Sequence, residues 1–491
     1  MSQILTCAVV AMAHAARIVC LRQTARDRRT ASIGLIRGPM PVNPTRRSLV
    51  HRNKLHISLL AVSVLMAAAG SATAADLYAG GATFPAPAYV GDLYNSLSPK
   101  ARLSRDAAIT APAVGFSVAG LGNSTGSKVP VFAKYRTLFP SDAVSYCQTG
   151  SGTGKKVLNN DTVFANGNCG DASSAAATGF TALSTTPDFI GTDSPISTAD
   201  YNTFNTNMAS TRTAIVQIPT IAGAIALPFK DNAATGLTSV ALTTQQVCQI
   251  YSAQITDWAD SRLGLTLSGS PHPITIVYRS EGSGTSFAFT SYLAAQCNGK
   301  FGVAAGYFKP DQSFAAAVTQ AGSLPAYAAV SPQSGNSGVV SKVKTTTDAL
   351  GYADIAEVLS QGVMYASVNG FDPAALPASI SITPANLLSG QVLNGATTAA
   401  VPGSAPAAAK NCLRLVSPAA PISSAYPIVA ITYVAGYYAG NPAANVTPIK
   451  NLFKLFYDTT NRPALPTGYA YVDGNALFRS SVVSSVNSCI N

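Results

Sequence analysis

Ile274-Thr275-Ile276-Val277-Tyr278-Arg279-Ser280-Glu281-Gly282-Ser283-Gly284-Thr285-Ser286-Phe287 is the stretch whose reading decides the fold. It predicts a β-branched strand, a turn rich in Gly and Ser, and then a helix. Phe289, Tyr292, Leu293 and Cys297 recur at helical spacing and give that helix its buried face. Ser283 or Thr285 supplies the N-cap, its side-chain oxygen accepting from an otherwise unpaired N–H of the first turn. Open N–H groups and the positive end of the helix dipole make such a terminus an anion site. Arg279, ending the strand, adds a planar forked donor suited to phosphate or carboxylate. Glu281 is close enough to brace the guanidinium or to accept a proton from a ligand. The same residues also fit a tight turn with a surface Arg–Glu pair, and local chemistry alone does not choose.

Upstream, Arg46, Arg47, Arg52 and Lys54 precede the apolar run Ile57 to Gly70, which ends in Ala72-Thr73-Ala74 before Ala75. A basic region, a short apolar region and an A-x-A site predict a secretory signal peptide cleaved near Ala74. The run is too short for a stable membrane anchor, and no Cys beside the cleavage point offers a lipid anchor. Residues 1–45, Arg-rich and ahead of the signal, are either a long leader or a start assigned too early, with translation beginning near Val50. The expected mature chain has 417 of the 491 residues, enough for two domains.

Ten of the 32 basic residues and one of the 21 acids lie before Ala75, leaving 22 against 20. The basic balance of the whole chain thus belongs to the leader, and no basic stripe with interleaved aromatics points to nucleic acid. Six cysteines remain: Cys147, Cys169, Cys248, Cys297, Cys412 and Cys489. An even count in an exported chain suggests disulfides, of which neighbour pairing (147–169, 248–297, 412–489) is the simplest arrangement. No C-x-x-C occurs, which argues against a zinc ribbon or redox motif.

Asp76 to Tyr89 (DLYAGGATFPAPAY) reads as a strand, a glycine turn and a helix opened by prolines. Thr83 and Phe84 sit where backbone could approach a small ligand, although on these residues alone an ordinary strand-to-helix joint is the better reading. Residues 98–145 read as an irregular insertion or surface loop. Tyr146 to Val157 (YCQTGSGTGKKV) invites a P-loop reading, but Thr149 replaces the first Gly and Lys156 stands where Ser or Thr belongs. A small anion-binding turn remains, with Ser151 offering hydroxyl and N–H; Lys155 and Lys156 read as solvated. Asp188 to Ser197 (DFIGTDSPIS) is a strand and polar turn, whose Asp193 either caps the next helix or accepts the proton of an oxyanion. Val216 to Phe229 and Tyr426 to Tyr433 read as buried strands. Val247 to Trp258 and Val446 to Tyr457 read as amphipathic helices, and Ala399 to Ala409 as a linker or loop.

Together GGATFPAPAY, TGSGTGKK, IGTDSPIS, VQIPTIAGAIAL, ITDW and VYRSEGSGTSFAFTSYL occur in the order seen in the phosphate-binding proteins of ABC phosphate transport. The chain resembles most their exported relatives, the DING proteins, in which a glutamate follows the arginine two residues on, as Glu281 follows Arg279. The resemblance covers roughly residues 76–489, with 101–145 unaligned. It implies an α/β, type II periplasmic-binding-protein fold: two α/β domains joined by two crossing strands, near Val216–Phe229 and Tyr426–Tyr433, with a ligand cleft between them. The first domain would be discontinuous, 75–215 with 430–491, and the second would be 216–429. The resemblance further implies that Thr83 and Phe84 give backbone N–H and hydroxyl donors, Ser151 a hydroxyl and N–H, and Asp193 a proton acceptor. Arg279 would supply charge, Glu281 would orient it, and Ser283, Gly284 and Thr285 would close the cage. Sulfate would be rejected because a fully ionised oxyanion leaves the buried carboxylate facing negative charge, at a cost of roughly 2–5 kcal/mol.

The implied role is an exported protein, periplasmic or secreted, that captures inorganic phosphate and works without cofactor, metal or catalysis. Its partners would be phosphate and an ABC permease, with no membrane anchor in a monomeric mature chain. The alternative is a secreted DING-like protein with a phosphatase or extracellular interaction role. Efficient catalysis is disfavoured: only His272 follows the leader, between Pro271 and Pro273 in an expected exposed loop, and neither G-x-S-x-G nor H-E-x-x-H occurs.

Overall fold

Two open α/β sheets organise the chain. The computed structural model describes residues 75–90, 102–103, 130–161, 186–269, 271–418, 420 and 426–491. Nine strands bear on the site: β1 (Asp76–Gly81), β2 (Ala143–Gln148), β3 (Phe189–Thr192), β4 (Ile215–Pro228), β5 (Thr275–Arg279), β6 (Ala329–Gln333), β7 (Ala349–Gly351), β8 (Val429–Tyr437) and β9 (Tyr469–Asp473). In the larger sheet the order runs β9-β4-β8-β3-β1-β2, with Ser379–Ser381 beyond β9 and Arg102–Leu103 beyond β2. β1 runs parallel to both β2 and β3, whereas β8 is antiparallel to β3 and β4. The smaller sheet is wholly parallel, in the order β6-β5-β7.

The expected crossing strands are β4 and β8. All fourteen residues of β4 are buried, as expected of a mostly apolar run with both faces covered; the two polar ones, Gln217 and Thr220, are buried as well. Its first ten residues run alongside β8, with register from Ile215 opposite Tyr437 to Ala224 opposite Val429. Its far end pairs with Ala353–Asp354 and Tyr365–Val368, on the side of the smaller sheet. The segment 379–416 lies over the larger sheet: Ser379–Ser381 pairs with β9, Gln217 N–H donates to the Cys412 carbonyl, and Leu393 N–H to the Ile196 carbonyl.

Several local expectations need correction. The later part of 98–145 is regular: Val131–Leu138 is a helix burying Val131, Phe132 and Tyr135, and β2 begins at Ala143. The helix expected to reach Trp258 runs only over Thr244–Tyr251. Ala253 adopts φ +60°, a left-handed conformation that ends the helix. Trp258 is buried beyond it and donates its indole N–H to the Asp348 carbonyl at 3.0 Å. Thr397–Ala400 is a strand and Ala407–Lys410 a helical turn, so 399–409 is only partly loop. His272 is buried rather than exposed, its ring between the Gly269 carbonyl at 2.9 Å and the Asp348 carboxylate at 3.7 Å. Cys248–Cys297 and Cys412–Cys489 form disulfides with Cα separations of 5.4 and 5.6 Å. The expected 147–169 pair includes Cys169, which lies outside the described residues, as do residues 1–74 with the leader and cleavage site.

Candidate functional site

Because β1, β2 and β3 are parallel, their carboxyl ends share one edge of the sheet, where ligands of open α/β folds bind. Each end delivers expected residues. β1 leads into Thr83 and Phe84 and the short helix α1 (Ala86–Val90); β2 leads into Ser151 at the start of α2 (Ser151–Leu158); β3 leads into Asp193. The loops are knitted together by backbone bonds from Thr149 and Gly150 to the Gly81 carbonyl, and from Ala82 to the Gly191 carbonyl, each 2.8 Å. In the smaller sheet β5 ends at Arg279 and leads into α3 (Gly284–Cys297).

Asp193 does not cap the following helix. Ser197 does, accepting from Asp200 N–H in a capping box. Asp193 is buried, its Oδ1 accepting from Thr432 Oγ1 at 2.7 Å, and its N–H donating to Ser151 Oγ at 3.0 Å. Burial pushes its carboxyl up to about 7, although the Thr432 bond, the Arg279 charge and the Ser151 hydroxyl all pull down. Such a group is poised to hold or release a proton near neutrality.

Arg279 is 2% exposed, so it is a buried cation and not a surface residue. Its Nε–H donates to Glu281 Oε1 at 2.7 Å, one terminal nitrogen donates to the same oxygen, and the other donates to Asn336 Oδ1 at 2.8 Å. Glu281 Oε1 also accepts the Gly335 N–H at 3.0 Å, at the opening of α4 (Gly335–Thr345). Burial works to raise the Glu281 carboxyl, but the Arg279 charge and these bonds prevail and hold it below its ordinary value. The bracing role expected of Glu281 is thus its geometry here. Ser283, rather than Thr285, is the N-cap, accepting from Ser286 N–H at 3.1 Å. That bond uses the hydroxyl as acceptor and leaves its proton free to donate. The first-turn N–H groups of Gly284 and Thr285 have no intrahelical acceptor.

The two edges meet. Gly152 N–H donates to the Gly282 carbonyl at 3.2 Å, and Gln312 Nε2 donates to Ser194 Oγ. A Cβ on Gly284 would stand 2.3 Å from Ser151 Oγ and 2.6 Å from Asp193 Cβ. Only glycine permits that approach. Two buried hydroxyls, Thr83 Oγ1 and Thr285 Oγ1, have no hydrogen-bond partner, one from each side. Buried polar atoms are rarely left unpaired, so these two hydroxyls, beside Arg279 and Asp193, call for an explanation.

Sequence reasoning missed Thr432, Asn336, Ser194, Gln312 and Lys155. Lys155 is not solvated: it is 4% exposed, its Nζ 2.7 Å from Asp200 Oδ2 and 2.8 Å from Ser194 Oγ. No group of three or more metal-ligating side chains occurs among the described residues, and no helix among them is long and apolar enough to cross a membrane.

The model of the PBP superfamily domain matches residues 107–456, over two thirds of the chain. Alkaline phosphatase L of Pseudomonas aeruginosa is 31% identical over 242 residues, 48% of this chain and 57% of that protein. A phosphate-binding protein of an unknown prokaryotic organism is 31% identical over 161 residues, 33% of this chain and 39% of that one. The chain therefore spans about half the length, or less, of these two curated relatives. Among solved structures, a high-affinity periplasmic phosphate-binding protein, PfluDING, bound with phosphate, superposes with TM-score 0.50 at 20% identity, covering 83% of this chain and 93% of that one. At that identity the likeness concerns the fold, and it agrees with two open α/β sheets. On the extent of the family match and on this architecture, the chain belongs to the PBP superfamily.

Proposed function

We propose that this protein captures inorganic phosphate in the cleft between its two sheets and releases it unchanged. The observation that carries the reading is the pair of orphaned buried hydroxyls, Thr83 Oγ1 and Thr285 Oγ1, on the loops that also hold a buried arginine and a proton-accepting carboxyl. A tetrahedral oxyanion bearing one proton complements that set: Arg279 and the first-turn N–H groups of α3 neutralise charge, the hydroxyls of Thr83, Ser151, Ser283 and Thr285 donate, and Asp193 accepts the single proton. Phe84 contributes through its backbone, because its ring is buried and edge-on to Tyr469 at 5.6 Å. Sulfate, with no proton to give, meets the Asp193 carboxylate as a repulsive neighbour.

The domain division that goes with this reading is 75–215 with 430–491 against 216–429, except that 379–416 associates with the larger sheet and so goes with the first domain; β4 and β8 form the hinge. Closure brings Arg279, Ser283 and Thr285 onto an ion already held by Thr83, Ser151 and Asp193. As a monomer exported past the inner membrane after cleavage near Ala74, the protein would hand phosphate to an ABC permease. The name borne by the Pseudomonas relative motivates the second reading, hydrolysis of phosphate esters. Against it, the only histidine among the described residues, His272, spends its ring on Gly269 and Asp348.

Calorimetric titration tests both. Protein freed of carried-over ligand by unfolding and refolding is expected to bind one phosphate tightly and sulfate at least about 100-fold more weakly, a gap of roughly 3 kcal/mol. Asp193→Asn and Arg279→Ala should each abolish tight binding. A disulfide-intact, refolded sample that ignores phosphate sinks the proposal; release of phosphate from p-nitrophenyl phosphate, lost in Ser283→Ala, would favour the hydrolase.

A further inference from the structure

Behind Arg279 lies a buried polar chain that ligand contact alone does not require. Asn336 is 1% exposed and presents Oδ1 to the guanidinium at 2.8 Å. A guanidinium only donates, so the amide must face it oxygen-first, and its NH2 group then needs an acceptor on the other side. Asp354, also 1% exposed, is that acceptor, with Oδ2 2.7 Å from Asn336 Nδ2. Its other oxygen, Oδ1, accepts the Glu357 N–H at 2.8 Å and lies 3.3 Å from the Tyr469 hydroxyl. That hydroxyl in turn donates to the carbonyl of Phe84, in the turn that carries Thr83.

The placement of this chain is the informative part. Asp354 pairs with β4 opposite Ile225, and Tyr469 pairs with β4 opposite Gly223. The carboxyl therefore sits beside the long crossing strand, touching one residue that answers to Arg279 and another that answers to Phe84. Burial and the nearby Glu357 carboxylate push Asp354 well above the ordinary carboxylate range. A protonated carboxyl can donate to the phenolic oxygen while Tyr469 spends its own proton on Phe84, so every contact in the chain is satisfied at once.

We propose that Asp354 is a positioning residue that couples the two sides of the cleft, aiming the Arg279 guanidinium through Asn336 and holding the Thr83–Phe84 turn through Tyr469. The inference rests on the phosphate-binding reading. It accounts for a buried acid that touches no ligand group and yet bridges two that would.

The test is a double-mutant cycle on phosphate affinity with Asn336→Ala and Tyr469→Phe in the full chain. No hydrogen bond joins these residues directly, so independent effects should multiply to within about twofold. Coupling through Asp354 predicts about tenfold loss in each single variant but less than about thirtyfold in the pair, because the second change acts on a link already broken. In an Asp354→Ser background, which keeps a helix-capping hydroxyl but cannot reach both partners, the same two changes should have little further effect. Ligand-free thermal unfolding of each variant separates lost positioning from lost fold, since positioning predicts weakened binding with little change in Tm. Multiplicative losses overturn the inference while leaving phosphate binding intact. A wild-type protein that binds no phosphate instead overturns the functional reading, and the inference with it.

Discussion

Thr432 Oγ1 donates a 2.7 Å hydrogen bond to Asp193 Oδ1, and so ties the acid at the end of β3 to the crossing strand β8. The bond favours the ionised acid against a burial that pushes it up to about 7. Between about pH 4 and about pH 7 the ligand-free folded protein holds a proton that the unfolded chain has released. The stability associated with Asp193 is therefore complete below about pH 4 and is lost as pH rises through about 7. Asp193→Asn should remove this slope, giving a ligand-free protein more stable at pH 8 by on the order of 2–4 kcal/mol. Denaturant unfolding in phosphate-free buffer at pH 4 and pH 8 measures it; parallel curves for variant and wild type would mean that Asp193 is ionised throughout.

Gly284 lies against Ser151 and Asp193, where an added Cβ would come within 2.3 Å of one and 2.6 Å of the other. Both contacts reach across the cleft, and relief requires the two edges to part. Gly284→Ala should therefore lower phosphate affinity by about 100-fold or more while leaving the ligand-free Tm within a few degrees, because an opened cleft has room for the methyl. Small-angle scattering with saturating phosphate should show the variant more expanded than the wild type. Equal affinities would mean that the tight approach is not part of the bound state.

How much of this was legible follows from how many residues each feature needs. β4 is an apolar run broken only by Gln217 and Thr220, and the buried face of α3 is declared by Phe289, Tyr292, Leu293 and Cys297 within a single helix; both are local and both could be read. Arg279 and Glu281 lie two residues apart, so their pairing was also visible. Thr432 and Asp354 on strands and Asn336 in the first turn of α4 are single polar residues in ordinary contexts, and each acquires meaning from a partner at least 18 positions away. Lys155 misled for the same reason: its burial comes from Asp200 and Ser194, roughly forty residues on. The helix Val131–Leu138 was obscured by the Gly/Ser stretch before it, although Val131, Phe132 and Tyr135 already carry helical spacing.

Cys248 and Cys297 join the helix Thr244–Tyr251 to the last residue of α3, closing 49 positions of chain. Replacing both with Ser should cost about 2–4 kcal/mol of stability. The bridge stands at the opposite end of α3 from Gly284, and a helix of fourteen residues spans roughly 20 Å at 1.5 Å per residue. Phosphate affinity should accordingly change less than about threefold at a temperature where the variant remains folded. Calorimetry paired with thermal unfolding separates the two quantities; a large affinity loss would show that the bridge helps set the helix terminus in the site.

Gln312 Nε2 donates to Ser194 Oγ across the mouth of the cleft, and Lys155 Nζ holds the same Ser194 oxygen at 2.8 Å while pairing with Asp200. The hydroxyl thus accepts from both sides, and Lys155, anchored by Asp200, fixes where the latch must close. Gln312→Ala removes only the cross-cleft donor and exposes no buried charge, so its effect on ligand-free stability should be small. Closure loses one hydrogen bond worth about 0.5–1.5 kcal/mol, which corresponds to roughly 2–12-fold weaker phosphate binding. A latch acts after the ion has entered, so the change should fall on the dissociation rate with the association rate unaltered. Stopped-flow release of phosphate into a fluorescent trap measures it directly. Unchanged release in Gln312→Ala, alongside wild-type affinity, would show that the contact between Gly152 and Gly282 suffices to hold the cleft shut.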